Sequence, residues 1–167
     1  MYQVGDRVLY GMHGVCEISG VEERIIDRKK IPYFVLTPLD QAGAKFYIPM
    51  NHEAALSKLR PIISKDALNE LLESDAVVQD GWIQDESQRK QRYKDLINGG
   101  DRAALIRMIR SLYQHKKNQT AAGRKFHLCD ENFLRDAEKL LDSEFALVLQ
   151  MPRESVGDYV RSILKDE

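Results

Sequence analysis

Four short runs of β-forming residues, each bounded by turn chemistry, fill the first 50 positions of the chain, and this punctuation constrains the fold more than any other feature. Gly5-Asp6 opens the run Arg7–Tyr10 and Gly11 closes it. A longer run covers Gly14–Ile26, with Val15, Ile18, Val21 and Ile25 as its apolar members and Gly20 where a bulge fits. Pro32–Thr37 is rich in β formers, and Pro32 suits a first strand position or an edge. A Gln-Ala-Gly turn then precedes Ala44–Ile48, which Pro49 stops. His13-Gly14 reads as turn chemistry. Asn51 is placed to cap a short helix through Leu56, and Arg60–Ile63 to return as a closing strand. Strands this short and this closely spaced predict a small barrel of SH3 or Tudor type.

The periodicity changes after Ser64. Ser64-Lys65-Asp66 starts a helix with Leu68, Leu71 and Leu72 on one face. Asp85-x-x-Gln88 forms a capping-box pattern for a helix from about Glu86 to Asn98. Gly99-Gly100 ends that helix, and Asp101 caps the next, which is expected to run to about Lys117. A third helix is expected from about Ala121 to Gln150, and Pro152 suits the first turn of a last helix ending near Lys165. The expected class is α+β: a small β-barrel domain over 1–74, including the helix after Ser64, a linker over 75–85, and an all-α helical bundle over 86–167.

Net charge is only −1, but its distribution is not neutral. Residues 89–125 carry eleven Lys and Arg against two Asp, while residues 126–167 carry five against ten acids. A concentrated basic segment is the usual footprint of a polyanion site. Arg107, Arg110, Gln114 and Lys117 share one face of the second bundle helix, and Arg89, Lys90, Arg92 and Lys94 crowd the helix before it. Arg124 and Lys125 complete the segment. A solvated helix face is the ordinary meaning of such a run; the near absence of acids favours phosphate, with the steep salt dependence that counterion release brings. Trp82, the only tryptophan, lies in the polar stretch Gln79-Asp80-Gly81-Trp82-Ile83-Gln84-Asp85 just ahead of these cations. A lone Trp is usually core. A planar apolar ring beside cations also suits a minor-groove wedge.

Other chemistries leave no signature. The longest apolar runs fall far short of the ~20 residues of a membrane span. The N-terminus lacks signal-peptide features, so a cytoplasmic location is expected. Cys16 and Cys129 are far apart with no CxxC spacing, which argues against a disulfide framework or a zinc clip. His13, Cys16, His127 and Cys129 make a metal site only if both domains bring them together. There is no Gly-rich phosphate loop, HExxH helix or Gly-x-Ser-x-Gly elbow. No metal, cofactor, small-molecule substrate or enzymatic activity is expected.

The opening Val4-Gly5-Asp6-Arg7-Val8-Leu9-Tyr10, with His13-Gly14-Val15-Cys16-Glu17-Ile18 and Val21-Glu22, resembles the polymerase-interacting domain shared by CarD-type bacterial transcription regulators and transcription-repair coupling factor. Tyr93-Lys94-Asp95-Leu96, Gly99-Gly100-Asp101 and Ile109-Arg110-Ser111-Leu112-Tyr113 extend the resemblance over essentially the whole chain. It implies a non-enzymatic regulator that stabilises the promoter open complex, with a first domain that binds the RNA polymerase β subunit and a helical domain that contacts promoter DNA upstream of the −10 element; a monomer is expected, with a domain-swapped dimer left open. It implies polymerase contacts at Arg24, at Tyr47 and, on the same strand face, at Lys45; for Ile25, Tyr33 and Phe46 sheet core is expected, with apolar contacts to the polymerase as the alternative. It also implies a wedge role for Trp82, although the 11-residue gap to Tyr93 is longer here than in the relatives. Two other readings stay open: an SH3-like protein adaptor with no DNA role, and an RNA- or ribosome-binding protein. Charge reversal at Arg107 and Arg110 is expected to separate DNA contact from the adaptor reading.

Overall fold

The computed structural model describes residues 1–166, and its chain divides into two compact units, Met1–Ile63 and a second beginning at Ser64. The first unit contains β1 (Arg7–Tyr10), β2 (Val15–Ile26), β3 (Lys29–Pro38), β4 (Phe46–Pro49) and β5 (Leu59–Pro61). They form one antiparallel sheet in the order β4-β3-β2-β1-β5. Period-2 alternation sends Val8, Cys16, Ile18, Phe34, Leu36, Ile48 and Leu59 into a single core. Burial, with the Asp40 carboxylate second, pushes the Cys16 thiol up to about 11, which suits a structural cysteine. The register shifts between Ile18 and Gly20, where Ser19 donates its hydroxyl to the Val35 carbonyl at 3.2 Å.

The ladder shows the sheet of the expected small barrel but not its closure. Its hydrogen-bonded order leaves β4 and β5 as edges, so among the described residues the ladder does not close on itself. The closing strand is Leu59–Pro61 and not Arg60–Ile63, and the short helix α1 (Glu53–Leu56) is capped by His52 in place of Asn51. The β2–β3 ribbon runs past the core. Asp27 and Arg28 turn it with φ of 50° and 65°, the left-handed pair that a type I′ hairpin requires. Every residue from 21 to 30 is exposed, Ile25 at 73%, so that side chain lies outside the sheet core.

The second unit contains α2 (Lys65–Glu73), a single 3₁₀ turn at Asp75–Val77, α3 (Glu86–Gly99), α4 (Arg102–Ala121), α5 (Leu128–Leu149) and α6 (Arg153–Leu164). Three N-caps form as their local chemistry dictates. Ser64 accepts from the Ala67 amide, Asp85 from Gln88 and Asp101 from Ala104, at 3.1, 2.8 and 3.0 Å. Gly100 takes the left-handed conformation that ends α3. The break after α4 lies further along than Lys117: the helix continues to Ala121, and Gly123 at φ 71° turns the chain before α5 begins.

α2 belongs to this unit, so the compact units divide before it and not at Ser74. The reason is its buried face. Leu68 and Leu72 are buried with α2 packed on α6 and on the 3₁₀ turn, and Tyr159 of α6 donates its hydroxyl to the Asn69 side chain at 2.7 Å. The expected linker is therefore partly packed structure, with Val77 buried. Leu105, Met108 and Leu112 of α4 are buried, as are Leu134, Ala137 and Phe145 of α5 and Val156 of α6. Arg102 donates to the buried Glu144 carboxylate through two bonds of 2.6 Å, tying α4 to α5. No helix among the described residues is long and apolar enough to cross a membrane.

Candidate functional site

Trp82 sits in the non-helical stretch between the 3₁₀ turn and α3, because the helix begins only at Glu86. The longer spacing to Tyr93 is thus divided between loop and helix. The indole is neither core nor free. It stacks on the His115 imidazole of α4, with centroids 3.6 Å apart and planes within 4°. The Arg89 guanidinium lies 4.6 Å from the indole centroid. Phe126 meets His115 edge-on at 6.3 Å, and the Lys116 ammonium lies 5.6 Å from the Phe126 ring. Burial holds the His115 pKa below its ordinary value. The Asp130 carboxylate opposes this, while the charges of Arg89 and His127 reinforce it.

Arg89 is not a DNA-facing cation. It is 5% exposed, and its Nε and Nη2 donate to the Asp130 carboxylate at 2.9 and 3.1 Å. Burial works against its charge, but the Asp130 hydrogen bond and charge lead the effects that hold its pKa above the ordinary value. The third donor, Nη1, reaches the Ile83 carbonyl at 3.0 Å. A guanidinium can serve ring, carboxylate and carbonyl together because its donors radiate from one rigid plane.

Arg107 and Arg110 are half-buried and engaged within the unit. Arg107 Nη1 donates to the Ala76 carbonyl at 2.6 Å, and its Nε reaches Asp80 at 3.4 Å. Arg110 Nη1 donates to the Val77 carbonyl at 2.6 Å, while Nε and Nη2 hold Asp166 at 2.8 and 2.7 Å. Next to Arg110, Ser111 donates its hydroxyl to the Asp80 carbonyl at 2.6 Å. Chain that lacks helical hydrogen bonds needs donors from elsewhere, and this face of α4 supplies them. The first half of the face expected to hold phosphate instead holds the segment that carries Trp82, while Gln114 and Lys117 are exposed.

The remaining cations divide differently. Lys90 pairs with Glu86 one turn back at 3.1 Å. Arg92 and Lys94 are exposed, since α3 buries its Arg89, Tyr93, Ile97 face. Lys117, Arg124 and Lys125 are exposed as well. In the first unit, the Arg24 guanidinium lies 3.9 Å from the Tyr47 ring centroid and 5.9 Å from that of Tyr33, with Glu22 at 4.0 Å. The register brings them together, because Glu22 pairs with Tyr33 and Val35 with Tyr47. Lys45 is exposed two residues before Tyr47. Phe46 packs on the core and against His13. Among the described residues, no group of three or more His, Cys, Asp or Glu is arranged to hold a metal ion.

His115, Ser111 and Asp130 were not legible as site residues. A signal existed for the first two, since Arg107, Ser111 and His115 recur at i, i+4 and i+8 beside the expected cationic face. Asp130 gave none, because its partner lies 41 positions away.

Fold and site together define a two-unit α+β protein: an antiparallel sheet presenting an Arg–Tyr stack, then a helical unit in which basic residues anchor a tryptophan-bearing loop. Residues 2–63 match the CarD-like/TRCF RID domain and residues 68–161 the CarD C-terminal domain. The chain is 26% identical over 166 residues to "Putative transcription factor YdeB" of Bacillus subtilis (strain 168), covering 95% of this chain and 99% of that protein. The chain belongs to the CarD family of transcription regulators.

Proposed function

We propose that this regulator docks on the RNA polymerase β subunit through its sheet and stabilises the promoter open complex through its helical unit, with Trp82 as a minor-groove wedge upstream of the −10 element. The observation that carries the reading is the preparation of Trp82: its loop is gripped by donors from α3 and α4, and one ring is stacked beneath it. The grip meets the backbone's own need for donors, and it leaves the indole half-buried and held at the surface, not sunk in the core. The phosphate-facing cations on this reading are Lys90, Arg92, Lys94, Lys117, Arg124 and Lys125. Arg89, Arg107 and Arg110 act behind them by fixing the loop. Arg24, Tyr47 and Lys45 form the polymerase face.

The mechanism is differential binding. A protein that contacts melted promoter better than closed promoter shifts that equilibrium by the difference in free energy and by no more. About 1.4 kcal/mol of preference gives a tenfold change in the open-to-closed ratio. Tethering to polymerase raises the local concentration, so weak, sequence-independent contacts suffice. The protein acts as a monomer in the cytoplasm, without cofactor or catalysis.

The test is open-complex lifetime at a promoter with an unstable bubble, with wild-type protein and with Trp82→Ala. Wild type is expected to lengthen it and the variant to lose the effect; no change with either overturns the reading. Charge reversal at Arg107 and Arg110 would break the loop's anchorage. Arg92→Glu with Lys94→Glu is therefore the variant that separates DNA contact from an adaptor role: the promoter effect falls while polymerase binding stays.

A further inference from the structure

We infer that His115 is a positioning residue for Trp82, setting the attitude of the indole on α4 that the wedge requires; this rests on the wedge reading proposed above. Two rings 3.6 Å apart and within 4° of parallel overlap face to face, whereas aromatic pairs left to themselves prefer offset or edge-on arrangements. The flanking backbone imposes the geometry. Ser111 holds the Asp80 carbonyl on one side of Trp82, and Arg89 holds the Ile83 carbonyl on the other. Ser111 and His115 are one helical turn apart on α4, so hydrogen bond and stack arise from neighbouring positions of the same helix. Phe126 stands edge-on to the imidazole and limits its rotation. The indole therefore has three fixed references: two pinned carbonyls and one ring face.

Fixing a side chain in advance lowers the cost of ordering it on binding. A wedge on an unpinned loop would lose that freedom at the moment it entered the groove. The role of His115 here depends on a flat ring and not on proton transfer, which is consistent with an imidazole whose burial favours the neutral form. Phenylalanine should therefore replace it, and alanine should not.

Trp82 is the only tryptophan, so its emission reports this site alone. The experiment measures acrylamide quenching of the free protein, and then open-complex lifetime with polymerase, for wild type, His115→Phe, His115→Ala and Trp82→Ala. Wild type and H115F are expected to share weak quenching and long lifetimes. H115A is expected to be quenched more strongly and to shorten the lifetime about three- to tenfold, the effect of leaving one large side chain to be ordered on binding. Rescue by H115F distinguishes positioning from a general loss of fold, which a thermal melt of each variant also monitors. If H115A leaves quenching unchanged, or frees the ring while its lifetime matches wild type and W82A remains defective, positioning by His115 is overturned and the wedge stands. If W82A itself matches wild type, the wedge reading fails and takes this inference with it.

Discussion

An arginine lies beside an aromatic ring in each unit, and the two pairs differ in almost everything except chemistry. Arg24 lies 3.9 Å from the Tyr47 ring on the sheet, its side chain 48% exposed and its nearest carboxylate 4.0 Å away. Arg89 lies 4.6 Å from the Trp82 ring with a side chain 6% exposed and two bonds to Asp130. In water, cation, ring and acid each retain solvent as an alternative partner, and such contacts contribute about 0.5–1 kcal/mol or less. In the interior no alternative exists. An exposed pair can be exchanged for a partner's groups at little cost, whereas a buried one is structural.

The sharpest way to break this comparison is to remove the buried acid. Asp130→Ala leaves the Arg89 charge without its partner and is expected to destabilise the second unit by about 3–5 kcal/mol, read in a denaturant melt. Replacing both members with apolar residues, Arg89→Met with Asp130→Leu, should recover most of that loss. A D130A variant as stable as wild type would show that the interior is wetter than its burial implies.

Arg24→Glu is the opposite case. Stability should stay within about 0.5 kcal/mol of wild type. Affinity for polymerase should fall at least about tenfold, as for loss of an interface anchor, measured by titration against core enzyme. Unchanged affinity would reduce the Arg–Tyr stack to surface decoration.

The smallest effect concerns a half-buried carboxyl beside another carboxylate. Burial, with the adjacent Glu138 carboxylate second, pushes the Asp142 carboxyl from 3.8 up to about 6, and Arg153 and Arg161 only partly offset this. Tyr113 of α4 donates its hydroxyl to Glu138 of α5. A folded pKa above the unfolded one means that the folded protein binds more protons between these two values. This site therefore favours folding at the acid end of that window, and the gain is lost as pH rises through about 6. Asp142→Asn should raise the melting temperature at pH ~7.5 by about 2–4 °C, with the advantage gone by about pH 4. A pH-independent shift would point to packing as the cause.

Local chemistry was readable from the sequence wherever it acted within a few residues. Ser64, Asp85 and Asp101 cap the helices they were expected to cap, because each bonds an amide three positions on. The β runs were legible from their glycine and proline punctuation, although the turn residues Asp27 and Arg28 gave less warning than Asn-Gly would have. Long-range choices were not legible. Arg89, Arg92 and Lys94 are equivalent as letters, and only the pairing with Asp130 decides that the first is interior. Arg107 and Arg110 likewise carry the right charge for phosphate, but spend it on carbonyls some thirty residues earlier. The α2 helix has an amphipathic face that fits either neighbour, and only its packing on α6 assigns it.

The grip on that loop has a consequence for how the chain can change. The oxygens held at Ala76, Val77, Asp80 and Ile83 belong to the main chain, so the grip does not depend on side-chain identity. It depends on the number of residues between anchors. Exposed positions such as Val78 and Gln79 are free to drift among residue types. Adding or removing one residue between Val77 and Ile83 would pull a carbonyl off its donor and present Trp82 at a different angle. Gaps, and not substitutions, are the changes this segment is least able to absorb.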